Sequence, residues 1–249
     1  MPRDAVAILP SRLGSTRFPG KVLADATGWP LIRHVHDRAS RAGSVARVVV
    51  AADDERIVDA VRAFGGEVVL TSADHPNGTS RLAEAAGRLG LPMDAIVVNV
   101  QGDEPEIDPA HIDACVGALR GSGAAMASVA CDLPEGSDHA DPNIVKVVLS
   151  GDSRAMYFSR APIPYTRGGG SPSRPRRHLG LYAYRRGFLE VYAALPSTPL
   201  ERTEMLEQLR ALEHGHSIAM AVVSGSPPAG IDTPEQYADF VRRWNAARG

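Results

Sequence analysis

This sequence has little cysteine, very little lysine and no long apolar run. Of its 249 residues two are cysteines, Cys115 and Cys131. Two are too few for a disulfide framework, and neither lies in a C-x-x-C or Cys/His metal spacing, so both read as small buried fillers. A net charge of −2 argues against the long basic face of a nucleic-acid binder. No segment approaches the roughly 20 apolar residues of a membrane span. The apolar start at Ala5 is too short for a signal peptide and follows an acid. Neither an internal repeat nor a separating linker is evident. We therefore expect a soluble cytoplasmic protein with one domain over residues 1–249, long enough for a sizeable core.

The cations are almost all arginine. Of 27 basic residues only Lys21 and Lys146 are lysines, which leaves 25 arginines. A lysine kept against that bias suggests a task for a compact point charge, such as contact with a phosphate, that a planar guanidinium does not fill.

The usual phosphate loops are missing too. Five residues separate Gly14 from Gly20 and Val22 follows Lys21, which fails the Walker A pattern, and no G-x-G-x-x-G occurs. What stands there is LPSRLGSTRFPGK, Leu9 to Lys21, directly after a short apolar strand. It carries Arg12, Ser15, Thr16, Arg17 and Lys21 with almost nothing apolar to bury. Such a loop can wrap backbone N–H groups and cations around an anion, a triphosphate being the obvious one. The same composition also suits a plain connection with solvated arginines.

Along the chain, strands at Arg47–Ala52, Glu67–Leu70 and Ala95–Val100 alternate with helices at Pro30–Gly43, Asp54–Phe64 and Thr79–Leu89. Asp53-Asp54 reads as the helix cap. This rhythm predicts an α/β fold with a mostly parallel central sheet flanked by helices. Ligands then sit beyond the strands' carboxyl ends. A helix at Pro109–Leu119 and strands at Ala125–Cys131 and Ile144–Leu149 follow. Residues 156–186 read as a small β-rich insertion, a lid or subunit contact, with a flexible basic loop inside it. Helices at Gly187–Leu195 and Leu200–His214, a strand at Ile218–Val223 and a last helix from Pro234 complete the chain.

A second motif, VNVQGDEPEI, brings Asp103 and Glu104 to a strand's carboxyl end. Asp103 suits Mg²⁺, which takes carboxylates, water and phosphate oxygens, whereas Glu104 reads as a solvated turn acid. Asp232, in GIDTPEQ, offers a similar carboxylate or simply caps the last helix.

Together LPSRLGSTRFPGK, TSADHPNGTSRLAE, VVNVQGDEP, NIVKVV, YFSRAPIPY, HLGLYAYR, LEQLR and GIDTPE resemble, in order, the 3-deoxy-manno-octulosonate (KDO) cytidylyltransferase family, from about Val6 to Glu235. The resemblance implies a nucleotidyltransferase fold, usually homodimeric, that makes CMP-KDO and pyrophosphate from CTP and KDO for lipopolysaccharide assembly. It implies that Arg12, Ser15, Arg17 and Lys21 hold the CTP phosphates. Ser72, His75, Gly78, Thr79 and Arg81 would line the base and ribose, and Asp103 and Asp232 would bind magnesium. Gln101, Arg160, His178, Tyr182, Glu207 and Gln208 match the acceptor site. His178 and Tyr182, four residues apart on a strand, would share a face.

Two positions depart from the pattern. Ser80 stands where the family usually has aspartate, and the linker from Thr166 to Arg177 is short and glycine-rich. Relatives that cytidylylate other acids, such as phosphonoformate or another ulosonic acid, share the CTP half of these motifs, so that acceptor class stays open at this point. A non-catalytic nucleotide-binding relative is the remaining alternative, disfavoured by the intact Lys21, Asp103 and Asp232.

Overall fold

The structure is a computed structural model describing residues 2–133, 136–168, 175–225 and 230–248. Its strands are β1 (Ala5–Ser11), β2 (Val45–Ala52), β3 (Glu67–Leu70), β4 (Ile96–Asn99), β5 (Met126–Asp132), β6 (Lys146–Leu149), β7 (Ala155–Ser159), β8 (Arg176–Arg185) and β9 (Ile218–Val223). Its α-helices are α1 (Leu31–Ser40), α2 (Glu55–Ala63), α3 (Gly78–Arg88), α4 (Pro109–Ser122), α5 (Arg186–Ala194), α6 (Pro199–Glu204), α7 (Gln208–Glu213) and α8 (Pro234–Ala246). The strands form one sheet in the order β3-β2-β1-β4-β8-β5-β9, with β6 and β7 pairing to the side of β8. Pairing is parallel through β3, β2, β1 and β4, and again between β5 and β9.

Alternation along β1 explains the two-sided burial. Ala5, Ala7 and Leu9 face one core with Ile32 and Val35 of α1, Ile57 of α2 and Ile112 of α4. Val6 and Ile8 face the other with Leu82 of α3, Leu189 of α5 and Leu209 of α7. A strand covered on both sides must be apolar on both, which is why β1 reads as a continuous apolar run. A small third cluster of Leu31, Ile231, Tyr237 and Phe240 packs α8 against α1.

Two expectations change. The stretch 156–186 is not an appendage throughout, because its second half is β8, antiparallel to both β4 and β5 in the middle of the sheet. Strand periodicity is the same at an edge and a centre, so alternation alone could not place it. Of the basic loop, residues 169–174 lie outside the described residues. The single helix expected over Leu200–His214 is two helices, broken where Met205 takes a left-handed φ of 53°. The break turns Leu206 into the core.

Lys146 is wholly buried. Its ammonium donates to the carbonyls of Asp141 (3.0 Å), Ile144 (2.7 Å) and Arg160, tying β6 to the end of β7. Replacing it strands three acceptors, so Lys146→Met should destabilise the protein by roughly 2–4 kcal/mol. Urea unfolding should show a lower midpoint at unchanged slope. An unchanged midpoint would mean that those carbonyls need no ammonium.

Candidate active site

Three chain segments meet at one ammonium. The first is the loop after β1. Gly20, at φ 69°, gives the left-handed turn that starts the short 3₁₀ turn Lys21–Leu23 and points Lys21 inward. The second is the turn after β4, pressed against β1: a Cβ on Gly102 would stand 2.9 Å from Ser11 Oγ and 3.0 Å from the Pro10 carbonyl oxygen. Only glycine lets Asp103 follow so close. The third is the turn before α8, anchored by buried Ile231, whose N–H donates to the Asp103 carbonyl (2.8 Å).

Lys21 Nζ lies 2.6 Å from Asp103 Oδ2, 3.0 Å from Asp232 Oδ1 and 2.8 Å from the Ile231 carbonyl oxygen. Arg17 adds an ion pair to Asp232 at 2.8 Å. Asp232 is free for this because it does not cap α8. Thr233 does, with its hydroxyl accepting from the Gln236 N–H in a capping box. Glu104 is likewise not a fully solvated acid: it is partly buried, and burial together with the Asp103 charge pushes its pKa up to about 7, against the pull of Arg177.

These groups border a cleft of about 410 Å³. Arg12, Ser15, Arg17 and Lys21 form one wall, His75, Gly78 and Arg81 another, with Gln101, Asp103 and Asp232 between. Arg81 is buried and donates to Thr71 Oγ1 (2.7 Å) and the Ser72 carbonyl (3.0 Å). Burial lowers its pKa, with Asp53 and Glu84 acting against that. His75 is held between Ser80 Oγ (3.0 Å from Nδ1) and the Glu84 carboxylate on Nε2. Ser80 thus holds a pocket residue in place.

A second, smaller cavity of about 80 Å³ adjoins the cleft, sharing Gly78 and Gln101 with it. Thr79, Asn99, Tyr182, Tyr184, Tyr192, Glu207 and Gln208 complete its lining. Tyr182 lies directly across from Asn99 in the β4–β8 ladder. Burial raises the Glu207 pKa, against the Thr79 hydroxyl bond and the Arg210 charge.

The cytidylyltransferase family profile matches residues 6–218. The chain is 51% identical over 238 residues to the 3-deoxy-manno-octulosonate cytidylyltransferase of Syntrophobacter fumaroxidans, covering 95% of each. It is 50% identical over 242 residues to that of Acidovorax ebreus, covering 91% of this chain and 92% of the relative. The chain belongs to the 3-deoxy-manno-octulosonate cytidylyltransferase family. Among solved structures, CMP:2-keto-3-deoxy-manno-octonic acid synthetase complexed with CTP superposes with a TM-score of 0.91 at 39% identity, covering 98% of this chain and 99% of that one. A cytidylyltransferase from Leptospira borgpetersenii, at 17% identity and TM-score 0.60, shares the fold.

In this cytidylyltransferase, three residues matched by motif line neither cavity. Ser72 contributes its carbonyl to Arg81. Arg160 directs its guanidinium to the carbonyls of Glu204 (2.7 Å), Pro142 (2.7 Å) and Met205 (3.3 Å). His178 is buried behind Tyr182, their ring centroids 5.5 Å apart, with Nε2 2.8 Å from Ser128 Oγ. Burial, helped by the Arg177 charge, lowers the His178 pKa to about 3, so its ring is neutral at neutral pH.

Sequence reading missed Asp53. Asp54 alone caps α2, accepting from the Arg56 N–H. Asp53 instead accepts from the Leu13 N–H (2.9 Å) and faces Arg81 Nη2 at 3.4 Å, joining the opening loop to α3. The available signal was the pair itself, since one cap needs one aspartate. Asp53→Ala should speed hydrogen exchange at the Leu13 amide by about 5-fold or more, one lost hydrogen bond. Asp53→Asn keeps the acceptor and should exchange nearly as the wild type does. Equal protection in all three would show that the loop is held elsewhere.

Proposed function

We propose that this chain transfers CMP from CTP to the anomeric hydroxyl of KDO and releases pyrophosphate. The observation that carries the reading is the pairing of two unlike cavities across Gln101 and Gly78. One is cationic and acid-edged, suited to a triphosphate. The other has no Lys or Arg among its described lining residues and presents a carboxylate and amides, suited to hydroxyls rather than to a second dianion. A phosphonate acceptor fits the second cavity poorly for that reason. The relatives named above at about half identity carry the KDO name over nearly their full length.

In this reading Arg12, Ser15, Arg17 and Lys21 bind the phosphates, while His75, Gly78 and Arg81 border the nucleoside. Asp103 and Asp232 would hold magnesium. The fit rests on donor chemistry: two carboxylates and a backbone carbonyl already surround one cation, and hard oxygens of this kind suit Mg²⁺. When bound, the ion would neutralise phosphate charge and lower the pKa of the acceptor hydroxyl. The chain's share is positioning: the α-phosphorus is presented in line, the anomeric hydroxyl gives up its proton to water as its oxygen bonds to that phosphorus, and the bond from the α-phosphorus to the bridging oxygen breaks so that pyrophosphate leaves. A soluble homodimer serving lipopolysaccharide assembly in the cytoplasm is the accompanying expectation. Among the described residues no helix is long and apolar enough to cross a membrane, and Met156, Tyr165 and Met205 are exposed.

With KDO present, pyrophosphate release should be strong with CTP and negligible with ATP, as the match of TSADHPNGTSR to the nucleotide motif of this CTP-dependent family implies. Assay of the four triphosphates tests this, and equal turnover of ATP would sink the assignment.

Asp103→Asn and Asp232→Asn should each leave CTP bound and cut turnover by about 10³-fold or more, with the double variant little worse, as for residues acting as a unit. Turnover across a magnesium titration is the measurement. Losses that simply multiplied would separate the two aspartates.

A further inference from the structure

The smaller cavity is lined by residues with buried polar atoms that make no hydrogen bond within the protein. Asn99 is 3% exposed and its Oδ1 accepts no hydrogen bond. Gln208 Nε2, in a residue 4% exposed, donates none, Glu207 Oε1 accepts none and has the Arg210 guanidinium near it at 3.7 Å, and all three residues line that cavity. An unpaired buried polar atom costs about 1–3 kcal/mol, so native proteins leave few of them. Three such atoms on residues that line one cavity point to a site that a ligand completes.

Asn99 is also held from both sides. It ends β4, between β1 on one side, opposite Ile8, and β8 on the other, opposite Tyr182. Glu207 and Gln208 reach the cavity from the turn after the left-handed Met205, where α7 begins. A fixed acceptor on a central strand thus shares one cavity with a donor and an acceptor at a helix start.

We infer that Asn99 is a specificity-determining residue for the acceptor, its Oδ1 taking a hydroxyl hydrogen that Gln208 Nε2 and Glu207 Oε1 complement on neighbouring hydroxyls. This rests on the acceptor reading proposed above. Each alcohol can give one hydrogen bond and take others, so a polyhydroxylated arm satisfies two acceptors and a donor together. A fully ionised phosphonate has no hydrogen to give and would meet the Asn99 oxygen and the Glu207 carboxylate with like polarity. The acceptor class is therefore a sugar acid with its hydroxylated arm in this cavity and its reacting end toward Gln101.

The test uses the full chain with Asn99→Leu, which removes the amide at similar size. Expected are CTP affinity unchanged by calorimetry, melting temperature not lowered, and KM for KDO raised roughly 3- to 12-fold, the range of one neutral hydrogen bond. An acceptor analogue lacking the contacted hydroxyl should bind the wild type more weakly and Asn99→Leu no more weakly than KDO does. Should Asn99→Leu fail to fold, Asn99→Ser is measured in the same way. An unchanged KM for KDO in a folded variant, with or without a fall in melting temperature, overturns the inference and makes Asn99 a packing residue. Wild-type protein that turns over CTP with a phosphonate but not with KDO overturns the acceptor reading and this inference together. Normal wild-type turnover of KDO with an unaffected variant overturns this inference alone.

Discussion

The arrangement depends on one charged contact, the Lys21 ammonium among the carboxylates of Asp103 and Asp232 and the carbonyl of Ile231. Those residues come from the loop after β1, the turn after β4 and the turn before α8, so the contact closes the chain's two ends over the sheet. Two carboxylates brought this near would repel each other strongly without a cation between them. Burial of Ile231 with Leu31, Tyr237 and Phe240 delivers the third segment, and Tyr237 Oη accepts the Ala26 N–H (2.8 Å) to hold it there. The apolar cluster and the ion contact thus depend on each other: packing brings Asp232 in, and Lys21 makes its arrival electrostatically tolerable.

The second cavity has a different origin. A wholly parallel sheet would follow β4 with a strand whose carboxyl end lies at the same edge. Here β8 runs the other way, and its position opposite Asn99 is Tyr182. The side chains of such a cross-strand pair lie on one face. The break at Met205 then places Glu207 and Gln208 over that face. An antiparallel strand in a parallel frame and a broken helix are both local irregularities, and together they build a polar chamber beside a charged one.

Much of this could be read from the sequence, and the parts that could not share a cause. The parallel half was legible because β1, β2 and β4 are apolar on both faces and alternate with capped helices. The convergence of Asp103 with Asp232 was legible only through family resemblance, since no local pattern relates residues so far apart. Local reading failed where a residue's partner lies elsewhere in the chain: Asp53 looked like a cap until Leu13 was seen to need an acceptor. Asn99 did leave a mark. It is the one polar residue in the apolar run AIVVNV, and a polar group on a buried central strand needs a reason.

The scarcity of lysine takes on structural meaning in the fold. Lys21 and Lys146 each donate to three oxygen acceptors, Lys21 to two carboxylates and a carbonyl, Lys146 to three carbonyls. An ammonium has three donors arranged around one small centre, whereas a guanidinium spreads five in a plane. Oxygens converging on a point from different chain segments match the first shape and not the second. Arg160 shows the contrast, its fork spread over carbonyls of three separate residues. In a chain that otherwise draws its cations as arginine, both lysines stand where three oxygens converge on one point. One of these positions stabilises the sheet's side hairpin, and the other gathers the groups to which we assign the chemistry.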